Sequence, residues 1–467
     1  MENINPKIFK AYDIRGIYPT DINEENIKVI ISAIYTFFVK DLQKDNLTVV
    51  VSQDMRISSP GLAKVTKDTL VSLGAWVIDI GLAGTPTFYF AVRSNKYDAG
   101  IQISASHNPK EYNGLKIVKN TPNGLIKIGK GTGMEKIKEI VEAKEYLLPK
   151  EGGKAETREG LVDLEIEAAI KRVNPQFLKP LRVVADTANA MGILYLEALF
   201  KKIPGSLSGI NLTLDGTFPA HQADPFQFET LKDLQKYVLE KKADLGIAPD
   251  GDADRTFFID ETGKVVSASL ITSLVIREFL KKNPGETIVC DIRYLMNARK
   301  IVKKMGGKLI ISRVGHALIT ETMHKNNAFF AGESSGHYFF RDTGFAESSV
   351  SVVLTILDIL SKEKKPLSGI VKEVQSAFES GETNFELDDV SKAKPILDQI
   401  IETYKDGELS MLDGIAIEYP GWRFNVRRSN TEPLLRLNLE AERESVMQEK
   451  NKELIDKIIS LGGIIKK

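Results

Sequence analysis

Residues 181–200 read LRVVADTANAMGILYLEALF, and this stretch decides the fold class. The apolar run Leu181–Ala185 is typical of a buried strand, Asp186–Asn189 of a turn, and the remainder of an apolar helix. The same order of strand, turn and helix recurs with strands at Leu47–Val51 and at Lys308–Ser312. Strands that alternate with helices predict α/β domains with mixed, largely parallel sheets.

The C-terminal part of the chain follows a different pattern. Strands are predicted at Gly414–Tyr419, Trp422–Val426 and Leu434–Leu439, and a polar helix over Arg443–Leu461 follows them. Clustered strands followed by a helix are typical of an α+β domain. The length of 467 residues independently predicts about three or four domains.

Composition and charge exclude several function classes. Lys plus Arg and Asp plus Glu both number 63, so the net charge is zero and a basic field for nucleic acid is absent. No apolar run reaches the roughly 18 residues of a membrane helix, and the start of the chain does not resemble a signal peptide. The single cysteine, Cys290, excludes an intrachain disulfide. These features predict a cytoplasmic protein without nucleic-acid or membrane partners.

The loop around Ser106 is the first candidate site. An apolar strand ends in Ser104-Ala105-Ser106-His107-Asn108-Pro109, where small neighbours leave the hydroxyl of Ser106 open to a substrate. The alternative is a strand-to-helix turn whose serine caps a helix, and spacing alone favours that alternative. If the strand alternation continued, the side chain of His107 would point away from Ser106.

The loop Asp250-Gly251-Asp252-Ala253-Asp254-Arg255 is the second candidate site. It follows an apolar strand, and carboxylates at every second position of a tight loop converge on one point. Oxygen-only ligands favour Mg²⁺ or Ca²⁺ over zinc. An EF-hand is the alternative, because Glu261 falls at position twelve of such a loop. However, position six, which needs glycine, is Arg255, and the flanking segments are predicted strands.

Two further loops carry polar side chains that suit a sugar phosphate. Gly332-Glu333-Ser334-Ser335-Gly336-His337 lies between predicted strands and could bind hydroxyl groups, although an ordinary turn is the alternative. Arg427-Arg428-Ser429-Asn430-Thr431-Glu432-Pro433 offers arginine forks and hydroxyls for a phosphate, with a basic surface loop as the alternative. Phosphoryl transfer requires a nucleophile, a hard cation and substrate-positioning groups, and the four loops together supply all three.

Taken in order, these motifs resemble the α-D-phosphohexomutase superfamily, and most closely its phosphomannomutase/phosphoglucomutase branch. The resemblance also includes Ala11-Tyr12-Asp13-Ile14-Arg15-Gly16, Tyr112-Asn113-Gly114-Leu115-Lys116 and Gly315-His316, and it covers essentially the whole chain. It implies three related α/β domains and a C-terminal α+β domain around a central cleft. The boundaries that we expect are 1–152 with the phosphoserine loop, 153–259 with the metal loop, 260–368 with the sugar-binding loop and 369–467 with the phosphate-binding loop.

The resemblance implies reversible transfer of a phosphoryl group between the 1- and 6-positions of a hexose phosphate. Ser106 would be carried as phosphoserine, the cofactor would be Mg²⁺, and glucose or mannose 1,6-bisphosphate would be the intermediate and activator. The implied metal ligands are Ser106, Asp250, Asp252 and Asp254. The implied catalytic residues are Ser106, Lys116, His337, Arg255 and Arg15. The implied substrate-binding residues are Tyr12, His107, His316, Glu333, Ser335, Arg427, Ser429, Asn430 and Thr431.

Substrate choice rests on smaller features. The segment from Ala11 to Gly16, and Asn430, are similar to the mannose/glucose branch and unlike phosphoglucosamine mutase, which is the alternative together with a metal-dependent sugar phosphatase. A sugar-phosphate or calcium-binding module is the non-enzyme alternative. Two stretches depart from the family pattern: Ser334 stands where the mannose branch often has methionine, and Ala346-Glu347-Ser348-Ser349 replaces a more acidic, glycine-containing stretch. For the oligomeric state we expect a monomer or a homodimer.

Overall fold

The computed structural model describes residues 4–429 and 434–466. The chain forms two compact units, the first comprising residues 4–266 and 335–368 and the second 267–334 with 369–429 and 434–466. None of the described helices combines the length and the apolar character that crossing a bilayer requires. The four domain boundaries given above remain predictions.

The strands, in chain order, are β1 (Ile14–Ile17), β2 (Thr48–Gln53), β3 (Trp76–Leu82), β4 (Ala99–Ile103), β5 (Tyr112–Thr121), β6 (Gly124–Lys127), β7 (Lys154–Thr157), β8 (Leu181–Asp186), β9 (Gly205–Ile210), β10 (Leu245–Pro249), β11 (Thr256–Ile259), β12 (Val265–Val266), β13 (Thr287–Asp291), β14 (Lys308–Ser312), β15 (Phe330–Gly332), β16 (Tyr338–Phe340), β17 (Ala346–Glu347), β18 (Phe378–Glu386), β19 (Glu408–Ser410), β20 (Ile415–Tyr419), β21 (Trp422–Arg428), β22 (Leu434–Ala441) and β23 (Ile464–Ile465).

The α-helices, in chain order, are α1 (Glu24–Leu42), α2 (Ser59–Ser72), α3 (Thr85–Ser94), α4 (Met134–Ala143), α5 (Leu161–Val173), α6 (Gly192–Phe200), α7 (Lys232–Lys241), α8 (Ala268–Lys282), α9 (Met296–Lys304), α10 (His316–Asn326), α11 (Ser349–Glu363), α12 (Leu367–Val374), α13 (Ala393–Thr403) and α14 (Glu444–Ser460). The strand–turn–helix pattern that opened the sequence analysis corresponds to β8 and α6.

The first unit contains two sheets with parallel centres. In the larger, β4, β2, β3 and β7 are parallel, while β1, β5 and β6 add antiparallel strands at one side. In the smaller, β9, β8 and β10 are parallel, and β11 and β12 continue antiparallel. The valine run of β2 is fully buried, as expected for a central parallel strand that is covered on both faces.

The second unit combines a parallel and an antiparallel sheet. Strands β14, β13 and β15 are parallel, whereas β19, β20, β21, β22, β18 and β23 form an antiparallel sheet. Helices α13 and α14 contribute Ile396, Ile400, Leu454 and Ile458 to the core of that antiparallel sheet. The predicted α/β class with a C-terminal α+β domain is therefore confirmed.

Local sequence explains where helices α1 and α2 begin. Helix α1 starts after Asn23, whose side chain accepts hydrogen bonds from the first turn, while the side chain of Asn26 accepts one from the backbone N–H of Asn23. Helix α2 has Pro60 in its first turn, where a missing N–H has no consequence. The parallel strands β4, β10 and β15 end at the polar loops that carry Ser106, Asp250 and Glu333.

The buried carboxyl group of Glu165 predicts a pH-dependent stability. Its Oε2 accepts a hydrogen bond from Thr87 of α3, and burial raises its pKa from 4.5 to about 7 against that hydrogen bond. The folded state therefore binds the proton more tightly than the unfolded state. The stabilisation from protonated Glu165 is complete below about pH 4.5 and is lost as the pH rises through about 7.

We therefore expect Glu165→Gln to become more stable relative to the wild type as the pH rises, by about 3 kcal/mol between pH 4 and pH 8. Urea unfolding at several pH values measures this difference in the free energy of unfolding. Glu167→Gln, on the exposed side of the same helix, controls for the change of residue type. A difference between Glu165→Gln and wild type that stays constant with pH would contradict the prediction.

Candidate functional site

Ser106 lies in a constrained loop at the carboxyl end of a parallel strand. Strand β4 ends at Ile103, and Ser106 adopts a left-handed conformation with φ of 51°, which costs a non-glycine residue roughly 1–2 kcal/mol. Its backbone N–H donates to Oγ of Ser104 at 3.0 Å. The side-chain Oγ lies 3.2 Å from Oδ2 of Asp250. The serine of the first candidate loop is thus held beside the second candidate loop.

The orientation expected for His107 is wrong. Its Nδ1 lies 3.2 Å from Oγ of Ser106, because the strand has ended and the left-handed residue breaks the alternation of side chains. Burial, followed by the nearby charges of Arg255 and Arg15, lowers the pKa of His107 well below its usual range. His107 is therefore a neutral neighbour of the serine hydroxyl.

The three aspartates converge as the sequence predicted. Oxygens of Asp250, Asp252 and Asp254 lie within 4.8 Å of one another, and all three residues are buried. Gly251 permits a close approach, because a Cβ there would lie 2.3 Å from the carbonyl oxygen of Ser106. Glu261, which an EF-hand would direct to the cation, instead accepts hydrogen bonds from Ser368. The geometry therefore gives no support to the EF-hand alternative.

Lys116 on β5 supplies positive charge to the aspartates. Its Nζ forms ion pairs with Asp252 and, at 2.5 Å, with Asp254. Burial alone would lower the pKa of Lys116, but these two carboxylates raise it well above its usual range. Burial would raise the pKa of Asp254, but Lys116 and then His337 hold it well below the usual range.

The donor set fits a hard divalent cation. Burial, and next the charges of Asp254 and Asp252, raise the pKa of Asp250 well above its usual range, so an ionised Asp250 is unfavourable in this cluster without a cation. Oδ2 of Asp252 accepts from Thr85 and pairs with Lys116. Its buried Oδ1 has no hydrogen-bond partner among the described residues. Three carboxylates with an unsatisfied buried oxygen are the ligands that Mg²⁺ prefers.

Arg255, His337 and Ser335 surround the aspartate cluster. The backbone N–H of Arg255 donates to Asp250 at 3.1 Å, and its Nε donates to Nε2 of His337 at 3.3 Å. That Nε2 also lies 3.2 Å from Oδ1 of Asp254. Nδ1 of His337 is 3.0 Å from Oγ of Ser335. All of these residues belong to the first unit.

Arg15 reaches the serine loop from β1. Its Nε donates to Asp13 at 2.7 Å, while Nη1 donates to the carbonyl oxygen of Ala105 at 3.2 Å and to the side chain of Asn108. Tyr12 is half-buried before the same strand, and its Cα would lie 3.1 Å from a Cβ at Gly129. Both residues lie in the first unit.

Glu333 and His316 belong to the second unit. Oε1 of Glu333 accepts from the backbone N–H of Gly315 at 3.0 Å and from Nη2 of Arg293 at 3.3 Å. Gly315 has φ of 125°, a conformation that glycine tolerates, and helix α10 begins at His316 immediately after it. The glutamate and the histidine are therefore joined through the backbone of Gly315.

The predicted phosphate loop contributes a cluster of arginines. Nη2 of Arg427 donates to Glu382 at 3.3 Å, and Nη1 of Arg436 donates to the other oxygen of Glu382 at 3.2 Å. Nη2 of Arg436 donates to Oγ of Ser429 at 3.2 Å. Asn430 and Thr431 lie outside the residues that the structure describes. The described part of this loop is therefore strongly basic around one buried carboxylate.

Sequence reasoning missed Arg56, Arg293 and Glu382. Arg56 is buried beneath the serine loop, and Arg293 pairs with Asp291 at 2.9 Å and lies 3.9 Å from Glu382. A signal was present, because both arginines belong to an Asp-x-Arg pattern at the end of a parallel strand. The pattern also occurs as Asp13-Ile14-Arg15, and in each case the aspartate accepts a hydrogen bond from the arginine side chain.

The two departures from the family pattern have structural explanations. The backbone N–H and the hydroxyl of Ser334 both donate to Oδ2 of Asp291, at 2.6 and 2.8 Å. Ser349 donates to the carbonyl oxygen of Ala253 within the aspartate loop at 2.7 Å. Glu347 forms a buried ion pair with Lys127. Ser334 and Ser349 therefore support the neighbouring loops, whereas a carboxylate oxygen of Glu347 lies within 4.8 Å of ligand atoms of Asp254 and His337.

Family models match almost the whole chain. The descriptions are phosphoglucomutase/phosphomannomutase alpha/beta/alpha domain I over residues 6–147, domain II over 165–263, domain III over 268–378 and the C-terminal domain over 373–457. These matches agree with the three α/β domains and the C-terminal domain of the fold.

Relatives and solved structures agree with the family models. A phosphomannomutase of Vibrio cholerae is 36% identical over 98% of both chains, and one of Methanocaldococcus jannaschii is 36% identical, also over 98% of both. A phosphoglucomutase/phosphomannomutase family protein of Burkholderia thailandensis, solved by crystallography, is 27% identical with a TM-score of 0.86, covering 99% of this chain and 100% of that one. The chain therefore belongs to the phosphoglucomutase/phosphomannomutase family and is a phosphohexomutase, an enzyme of the isomerase class.

Proposed function

We propose that this enzyme interconverts the 1- and 6-phosphates of mannose, glucose or both through a phosphorylated Ser106 and a hexose 1,6-bisphosphate. The observation that carries the proposal is the position of Oγ of Ser106. It lies 3.2 Å from Asp250 in a left-handed loop, beside three converging carboxylates and Lys116. A serine that only capped a helix would not need three carboxylates and a lysine beside its hydroxyl.

In the proposed cycle the bond between phosphorus and Oγ of Ser106 breaks as a hydroxyl oxygen of the hexose phosphate bonds to phosphorus. The hydroxyl proton leaves to a base, the departing Oγ of Ser106 takes up a proton, and the product is the 1,6-bisphosphate. In the second half, Oγ of Ser106 gives up its proton and bonds to the phosphorus of the other phosphoryl group, while the bond from that phosphorus to the sugar oxygen breaks and this oxygen takes a proton. The number of phosphoryl groups on the enzyme is therefore unchanged after each turnover.

Lys116 and His337 are the proposed proton-handling residues. With its raised pKa, Lys116 is an ammonium group that can donate a proton or balance charge. It can accept a proton only after it has given one up, which its ion pairs with Asp252 and Asp254 oppose. Arg255 and Arg15 would orient His337 and the serine loop and add positive charge where phosphoryl oxygens lie.

Mg²⁺ would be held by Asp250, Asp252, Asp254 and the phosphorylated Ser106, and it would neutralise charge on the transferring phosphoryl group. The carboxylates would keep the serine side chain oriented between turnovers.

We assign the remaining predicted residues to binding the sugar hydroxyls and the second phosphate of the substrate. Glu333, positioned by Arg293 and Gly315, and Ser335 would hold sugar hydroxyls. Arg427, with Ser429, Asn430 and Thr431, would hold the phosphate that is not being transferred. Tyr12, His107 and His316 are proposed as further substrate contacts. The cytoplasmic location and the monomeric or dimeric state remain predictions.

The test is a mutase assay with Mg²⁺ and a trace of glucose 1,6-bisphosphate. Mannose 1-phosphate, glucose 1-phosphate and glucosamine 1-phosphate are compared as substrates, and released inorganic phosphate is measured in parallel. We expect turnover of mannose or glucose phosphate with little free phosphate. Turnover of glucosamine phosphate alone would refute the substrate assignment, and inorganic phosphate as the main product would favour the phosphatase alternative.

Arg427 tests the proposed phosphate site separately from the chemistry. Its buried guanidinium is held by Glu382, and lysine cannot reproduce the planar fork. We expect Arg427→Lys to raise KM for the hexose phosphate about 10- to 100-fold, with kcat changed less than about threefold, because the phosphate bound at this site is not the one being transferred while it is bound there. Arg428→Lys, at the neighbouring exposed residue, is the control. An unchanged KM in Arg427→Lys would contradict this role.

A further inference from the structure

Arg56 is a buried arginine that no part of the proposed cycle uses. It follows β2, and its side chain is completely inaccessible to solvent. One face of the guanidinium packs against the ring of Phe218, 5.0 Å from the ring centre. A buried charged side chain is rare unless its hydrogen bonds are satisfied, so its partners indicate its role.

All the partners of Arg56 lie in two places. Nε donates to Oδ2 of Asp54 at 3.2 Å. The other donors reach four backbone carbonyls of the serine loop: Nη2 donates to Ser106 at 2.8 Å and Asn108 at 2.6 Å, and Nη1 donates to Pro109 at 2.7 Å and Tyr112 at 3.0 Å. Arginine has five N–H donors, and each one therefore has an acceptor.

These contacts fix the part of the loop that determines where the serine hydroxyl lies. The carbonyl of Ser106 is anchored by Arg56, and its backbone N–H is anchored by Ser104 at 3.0 Å. With both peptide groups held in the left-handed conformation, the direction of the Cα–Cβ bond is determined. Oγ then has few positions open to it, and one of them is beside Asp250.

A lysine could not replace this arrangement. Its ammonium group has three donors on a single nitrogen and cannot span four carbonyls along the seven residues 106–112. The charge of Arg56 is already balanced by Asp54, which also accepts from Ser59 at 2.6 Å. The carbonyl contacts, more than the charge, distinguish Arg56 from an ordinary buried ion pair.

We propose that Arg56 is a positioning residue that holds the Ser106 loop in the geometry required for phosphorylation of the serine. The inference rests on the proposed function, because it assigns Arg56 to the phosphoserine of that cycle. Arg56 touches no substrate and acts only through the loop.

The experiment compares wild type, Arg56→Lys and Asp54→Asn, with Arg93→Lys as the matched control. Arg93 also donates to backbone carbonyls, those of Thr121 and Pro122, but in the turn between β5 and β6. Each protein is dephosphorylated, checked for folding by thermal unfolding, and mixed with Mg²⁺ and glucose 1,6-bisphosphate. Intact mass follows the phosphorylation of Ser106, and hydrogen exchange follows the peptide over residues 104–112.

We expect Arg56→Lys to phosphorylate about 100-fold more slowly, as a misplacement of about 1 Å at a reacting atom predicts. kcat should fall in parallel and KM should change less than about threefold. Exchange over residues 104–112 should increase. Asp54→Asn keeps the four carbonyl contacts, and its rate of phosphorylation should fall less than about fivefold. Arg93→Lys should match the wild type in the rate of phosphorylation and in hydrogen exchange over residues 104–112.

Three results would overturn the inference: folded Arg56→Lys with the wild-type phosphorylation rate, an unchanged exchange of residues 104–112, or Asp54→Asn as slow as Arg56→Lys. If Arg56→Lys does not fold, Asp54→Asn decides the question. A wild-type rate of phosphorylation in Asp54→Asn supports positioning through the carbonyl contacts, and a 100-fold slower rate refutes it. A wild type that is never phosphorylated would instead refute the proposed function, and the exchange measurement would still decide whether Arg56 holds the loop.

Discussion

Replacing Ser106 with alanine should abolish mutase turnover, with a loss of at least about 10⁴-fold in kcat. In the proposed cycle the side chain accepts and returns the phosphoryl group, so nothing else in the loop can substitute for its Oγ. The neighbouring His107 is neutral and cannot replace the hydroxyl as the phosphoryl carrier from its present position. The measurement is the coupled assay with mannose or glucose 1-phosphate and the 1,6-bisphosphate.

Ser104→Ala is the matched control for Ser106→Ala. Ser104 lies in the same buried loop, and its hydroxyl has one hydrogen bond among the described residues, accepted from the backbone N–H of Ser106. We therefore expect a loss of less than about tenfold in kcat, the size of one buried hydrogen bond. Intact mass should show one added phosphoryl group in wild type and Ser104→Ala and none in Ser106→Ala. Turnover by Ser106→Ala within about tenfold of wild type would refute the proposed nucleophile.

Asp250→Asn should have opposite effects on activity and on metal-free stability. Burial and the charges of Asp254 and Asp252 raise the pKa of Asp250 well above its usual range, which means that its charge is unfavourable in the folded state without a cation. We expect Asp250→Asn to unfold at a higher temperature than wild type in EDTA at neutral pH. Its kcat with Mg²⁺ should fall about 10²- to 10³-fold, because a charged ligand and the neighbour of Ser106 have been removed.

Titration with Mg²⁺ separates this explanation from a general stabilisation. Wild type should gain thermal stability with increasing Mg²⁺, by linkage to binding in the folded state, whereas Asp250→Asn should gain much less. Glu261→Gln is the control, because Glu261 would be a ligand only in an EF-hand, and it should behave as wild type. Wild-type activity in Asp250→Asn, or a wild-type protein that Mg²⁺ does not stabilise, would contradict the proposed metal site.

The two effects expected of Asp250→Asn share a physical basis in the crowding of like charges. A site that binds a phosphoryl group and a cation must hold carboxylates together before the cation arrives, and this lowers the stability of the metal-free protein. Lys116 relieves part of the repulsion through Asp252 and Asp254 but makes no ion pair with Asp250 among the described contacts. Asp250 is therefore the member of the cluster whose neutralisation should stabilise the protein most.

Several features could be predicted from the sequence because they depend on residues that are close along the chain. The strands β2, β8 and β14 and the helix α6 follow from local apolar patterns, and these elements form where they were expected. The convergence of Asp250, Asp252 and Asp254 is also local, because a tight loop after β10 leaves alternate side chains little room to diverge. Membership of the family followed from the order of short motifs.

What the sequence by itself determined is therefore the class of each segment, the family and the chemical type of each loop. The resemblance to the family implied that Ser106 and Asp250 share a site, but only the tertiary structure decided the contacts of Lys116 with Asp254 and of Arg56 with four carbonyls of the serine loop. It also decided the direction of His107, which local alternation predicted wrongly. The reason is that a contact between residues 50 or 144 positions apart depends on how sheets bring the ends of their strands together, and no local pattern encodes that arrangement.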